Sequence, residues 1–199
     1  QALAASQHVR SYSREIGDAD SEAWGWIFEG RTYRRLRNSE AAVTALENAV
    51  VRFDEIGDDE VIGLCRLEQG LAMLDSDVKV AQPLLDAAVR LLAEVTDAYT
   101  IIAAIEGIAR LTFLEGGPEM GAEFVGTAQR LREQTGIVAA ESEMVALRQA
   151  IDPAINALGA TAFGHHLERG RKRSPRSAIE LYLSSTTSRF KPHAFVYSE

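Results

Sequence analysis

One punctuation mark recurs along this chain at a nearly constant step, and that recurrence limits its fold more than any other feature. The segments Ile16-Gly17-Asp18, Ile56-Gly57-Asp58, Val95-Thr96-Asp97 and Gln134-Thr135-Gly136 each close an amphipathic run. With Gly17, Gly57, Thr96 and Gly136 taken as equivalent, the steps are 40, 39 and 40 residues. Glycine after a helix adopts the left-handed conformation at low cost, and a following aspartate accepts hydrogen bonds from the free N–H groups of the next helix. A second register agrees with the first. Small residues fall at Gly30, Gly70 and Ala109, at Ala42, Ala81 and Gly121, and at Ala49, Ala88 and Ala128. Leu46, Leu85 and Val125 stand between the last two sets, in position to fill the space between neighbouring helix hairpins.

Such periods identify repeat architectures, in which each unit buries its apolar face only against its neighbours. The pattern predicts helices over 21–36 and 39–56, over 59–74 and 78–95, and over 98–114 and 118–134. Pro118 falls in a first helical turn, where its missing N–H costs nothing. A longer helix over 140–158 contains Pro153, a predicted kink. Short helices over 160–169 and 175–183 follow. No segment sustains the period-two alternation of a strand; only Ala194-Phe195-Val196-Tyr197 leans that way. The expectation is an all-α chain: an α-solenoid of antiparallel hairpins over 1–158, capping helices over 159–183 and an irregular tail over 184–199. Residues 1–16 match 41–56 shifted by 40, so the array is expected to begin in mid-repeat, as a piece of a longer protein.

Charge narrows the class of partner. The net charge is −8, but residues 1–159 hold 14 basic against 26 acidic side chains, whereas residues 160–199 hold 7 against 3. An acidic body argues against direct nucleic-acid contact, which needs a basic footprint. Hydrophobic residues make up 46% of the chain, enough to bury a core, yet no apolar run approaches the ~20 residues of a membrane helix. The N-terminal stretch lacks the pattern of a signal peptide, which points to a cytoplasmic protein. Cys65 is the single cysteine, so it forms no internal disulfide and is expected to be a buried apolar side chain.

Catalytic constellations are missing from the sequence. It contains no phosphate-binding loop of the Gly-x4-Gly-Lys-Ser/Thr type and no nucleophile elbow. His165-His166 with Glu168 lacks the i, i+4 histidine pair and third ligand of a zinc site, so no metal or cofactor is expected. The run Arg169–Arg176 is basic enough to touch phosphate, or is a solvated loop.

The stretch Asp97-Ala98-Tyr99 through Leu111, then Gly117-Pro118-Glu119 and Thr127–Glu133, resembles the tetratricopeptide-like arrays at the C-terminal side of bacterial signal-transduction ATPases. These include LuxR/MalT-type and AfsR-type regulators and cyclase-linked ATPases. Ala162-Phe163, Glu168–Arg171 and Ser177-Ala178-Ile179 are similar to the segment that ends such arrays. The resemblance implies a regulatory, non-enzymatic module that binds a protein segment or small effector and restrains an ATPase module of the same parent chain. In tetratricopeptide geometry the first helix of each hairpin lines a concave groove, which makes Trp24, Arg31, Arg34, Arg35, Glu68, Glu106 and Arg110 the candidate contacts. Arg31 and Arg35, spaced by four, share one helix face; Glu106 and Arg110 have the spacing of an intrahelical ion pair, and Glu29 is a nearby partner for the arginines. Trp24 and Trp26, two residues apart, cannot share a face. The competing reading is a structural or homo-oligomerising scaffold without an effector. A third, an all-α enzyme, would have to join His165, Arg110 and Glu106.

Overall fold

A computed structural model describes residues 2–189, with side chains through Thr186. The described residues are all-α, without a strand. In order the helices are α1 (Ala2–Ile16), α2 (Ala19–Arg35), α3 (Ser39–Ile56), α4 (Asp59–Met73) and α5 (Val78–Leu91). They are followed by α6 (Ala98–Leu114), α7 (Pro118–Thr135), α8 (Glu141–Leu158), α9 (Ala160–Arg171) and α10 (Pro175–Arg189).

The periodic punctuation has the physical role expected of it. Gly17, Gly57 and Gly136 take φ of 74°, 71° and 70° after α1, α3 and α7. Asp18, Asp58 and Asp97 cap α2, α4 and α6, accepting from the N–H of Ser21, Val61 and Thr100 at 3.0, 3.1 and 2.8 Å. The unit without glycine departs from the others. α5 stops at Leu91, short of the predicted residue 95, and Leu92–Glu94 form a turn. Thr96, β-branched, is poorly suited to the left-handed position that its counterparts occupy, so the chain leaves the helix earlier.

Neighbouring helices pack closely where small residues permit it. In α2, a side chain added at Gly30 would lie 2.5 Å from Leu46 Cγ of α3; in α4, one at Gly70 would lie 2.6 Å from Leu85 Cγ of α5. Leu46, Leu85 and Val125 are fully buried. Leu46 and Leu85 therefore seat on the glycines of the helix before them and not between units, and a Cβ added at Gly107 of α6 would lie 3.4 Å from Leu85, so Leu85 also faces α6. A principal core runs from Leu67 in α4 to Tyr182 in α10, with a smaller one around Ile27, Leu46 and Phe53.

Past α7 the regular order changes. Gly126 of α7 and Gly170 of α9 meet where the two backbones cross, so that a Cβ on either would fall onto the carbonyl oxygen of Leu167 or Glu123. α8 lies between them in sequence and is continuous through Pro153. α10 inserts Ala178, Ile179 and Tyr182 into the principal core, and Tyr182 Oη donates to Asp86 of α5 at 2.5 Å. The tail expected from residue 184 is helical as far as Arg189, because α10 is anchored by this buried face. The β-leaning segment Ala194–Tyr197 lies outside the described residues.

Candidate functional site

The arginines of α2 are held by a carboxylate on the neighbouring first helix. Glu68 of α4 is 2% exposed, and its two oxygens accept from Arg31 Nε at 2.8 Å and Arg34 Nε at 2.7 Å. Arg34 also donates through Nη2 to Glu143 of α8 at 3.1 Å, joining residues 109 positions apart in the chain. Burial disfavours the charged Arg34 guanidinium, but Glu68 and Glu143 outweigh it and raise its pKa above the ordinary arginine value. Two arginine bonds to a nearly dry carboxylate are charge-assisted and strong.

Beside this knot is a cavity of about 290 Å³. Its walls come from the C-terminal ends of α2 and α4, the middle of α6 and the first turns of α8. Arg34, Arg35, Arg37 and Arg110 line it together with Asp75, Glu106 and Glu143, while Leu71, Ala103 and Leu147 give it an apolar floor. Arg110 donates to Asp75 at 2.6 Å with its side chain only 11% exposed. Burial pulls the Arg110 pKa below its ordinary value, and the cations Arg34 and Arg37 act in the same direction against Asp75. Glu106 is held by both Nε and Nη2 of Arg132, each at 2.8 Å. Glu143 also caps the start of its own helix, accepting from the Ala140 N–H at 3.4 Å.

Six of the seven sequence-predicted positions thus gather in one region. Arg34, Arg35, Glu106 and Arg110 line the cavity, and Arg31 and Glu68 form the ion-paired base beside it. Trp24 stands apart. It packs against Phe28 and edge-on to Phe53, at ring-centre distances of 6.4 and 5.7 Å, and it lines no part of the cavity. Trp26 lies instead under the Arg10 guanidinium, 3.8 Å from the ring centre. The expected ion pairs are also rearranged: Glu106 and Arg110 each find a partner on another element, and Glu29 is taken by Arg10 at 2.6 Å. Each of these groups thus pairs with a partner on another element and not within its own helix.

Sequence reasoning missed Asp75, Glu143 and Arg37 as site residues. The first two come from a turn and from a helix far along the chain, with no local signal. Arg37 carried one. It takes φ of 57°, the only non-glycine residue with positive φ among those described, and it stands 79 residues before Gly116, which fills the same place after α6 with φ of 81°.

The remaining candidates resolve differently. Within the basic run, Arg169 and Arg173 hold Glu123 of α7, through Nε at 2.7 and 2.8 Å. Arg171 holds Glu133, and Arg176 pairs with Glu180. His166 lies 3.7 Å from Glu123, and no group of three His, Cys, Asp or Glu side chains could hold a metal among the described residues. Cys65 is fully buried and its thiol is pushed up to about 12, first of all by that burial. No helix is long and apolar enough to cross a membrane among the described residues. No family model matches the chain, and neither curated proteins nor solved structures gave a significant match to it.

Proposed function

We propose that this chain is a tetratricopeptide-like regulatory binding module of a larger bacterial signal-transduction ATPase or transcriptional regulator, and that it receives a protein segment or small effector in the groove of its first helices. The observation that carries this reading is the cavity bounded by α2, α4 and α6, where Arg35 and Arg37 are exposed and in no ion pair among the described residues. Unpaired cations around an open space are free to meet an anionic group, which paired ones are not. The family resemblance of residues 97–183 supplies the rest: occupancy of the groove is passed to the ATPase module of the parent.

Thermal-shift and calorimetric titration against candidate effectors and parent ATPase modules tests the reading. A ligand should raise the melting temperature of the wild-type chain and lose its effect when Arg35 and Arg37 are reversed to glutamate. Silence toward every ligand, from folded protein, favours a scaffold instead.

A further inference from the structure

We infer that the occupant of the cavity is an acidic peptide segment, one that combines carboxylate with aliphatic side chains and displaces Glu143 from Arg34. The inference rests on reading the cavity as the binding site and adds the chemistry of its ligand.

Charge points to the carboxylates. Counting the lining groups and their direct partners, five guanidinium groups (Arg34, Arg35, Arg37, Arg110 and Arg132) face four carboxylates (Glu68, Asp75, Glu106 and Glu143). This local surplus of one positive charge, with Arg35 and Arg37 in no ion pair among the described residues, sits in a chain whose net charge is −8. A site of opposite sign to its surroundings attracts an anion selectively.

Arg37 strengthens the case. Its left-handed backbone would suit glycine, which the repeat supplies at the matching Gly116. A non-glycine residue there costs about 1–2 kcal/mol, and such strain gathers at functional sites. What the arginine adds over glycine is a cationic side chain on the rim of the cavity.

Glu143 shows how a ligand would sit. It is a carboxylate delivered by a helix remote in sequence, and it already engages Arg34 at the cavity wall. An incoming peptide carboxylate would reproduce this contact and add bonds at Arg35, Arg37 and Arg110. The walls also separate a peptide from a polyphosphate or nucleic acid chain. Leu71, Ala103 and Leu147 give aliphatic side chains a place that a phosphate chain would leave unused.

The test is fluorescence anisotropy of the whole chain with a fluorescein-labelled octapeptide of alternating leucine and glutamate, beside the same peptide with glutamine for glutamate. Saturable binding of the acidic peptide is expected, with the glutamine peptide at least about tenfold weaker. Arg37→Gly should weaken binding about fivefold, the scale of one exposed charged contact, while its melting temperature stays level or rises. That pairing excludes loss through misfolding. Glu143→Gln should tighten binding by freeing Arg34. Equal binding of the two peptides, an Arg37→Gly variant that binds as wild type, or displacement of the peptide by millimolar inorganic phosphate would each overturn the inference. A neutral or basic effector that acts through the groove while the acidic peptide does not would defeat the peptide assignment and leave the binding module standing; silence from both would remove the two together.

Discussion

Glu68 in α4 and Glu123 in α7 invite comparison, for each is a 2% exposed glutamate gripped by two arginines. Around Glu68 the cations exceed the carboxylates and border an open cavity. Around Glu123 the arginines come from α9 and the loop after it, and the backbones of α7 and α9 touch at Gly126 and Gly170. Two similar clusters of charge therefore do different things: one leaves cations and space for a partner, and the other locks a helix crossing. A buried ion pair does not by itself mark a binding site.

The contrast can be broken most sharply at the crossing. Gly170→Leu drives a side chain into the Glu123 carbonyl and should destabilise the chain by about 3 kcal/mol, as overpacking of a dry interface does. A loss below 1 kcal/mol in urea denaturation would show that the crossing yields. Next in size is Glu68→Gln, which strands Arg31 and Arg34 in a half-buried setting and should cost about 2 kcal/mol. Glu123→Gln should cost less, about 1 kcal/mol, because Arg169 is 60% exposed and water can solvate it. The reverse order of the two would contradict the distinction.

Arg37→Gly moves stability the other way. Relief of the left-handed arginine should add about 1 kcal/mol, readable as a higher denaturation midpoint. A destabilised variant would mean that Arg37 supports the fold and not the cavity. The smallest effect is with pH. Burial raises the Glu123 carboxyl, but the hydrogen bonds of Arg169 and Arg173 outweigh it and hold the group below its ordinary value. A carboxyl depressed in the folded state stabilises fully above its unfolded value, and that contribution fades as the pH falls through the folded one. Stability measured from pH 6 to pH 3 should therefore fall less steeply for Glu123→Gln than for wild type, by under about 1 kcal/mol across the range. Identical slopes would remove Glu123 from the acid response.

Much of this architecture was legible before any coordinates. The helix boundaries at Asp18, Asp58, Asp97 and Gly136 follow from capping chemistry that acts within a few residues. The repeating spacing also singled out Gly30, Gly70, Leu46 and Leu85, although it placed the leucines between neighbouring hairpins and the structure seats them on the glycines of the preceding helix. The candidate contacts Arg31, Arg34, Arg35, Glu68, Glu106 and Arg110 came from the groove that the resemblance implies, and the structure brings them into one region. Trp24 came from the same implied groove, yet its ring is taken up by Phe28 and Phe53, a preference for aromatic neighbours that a helical period does not reveal.

By itself, then, the sequence determined the helices, their caps and the small residues at which helices approach closely, because these depend on interactions a few residues apart or repeated at a fixed step. Only the tertiary structure decided which charges are paired and which remain open. Whether Arg34 meets Glu143, or Arg173 meets Glu123, depends on how helices more than forty residues apart come to share one water-excluded interface, and no local pattern encodes that meeting.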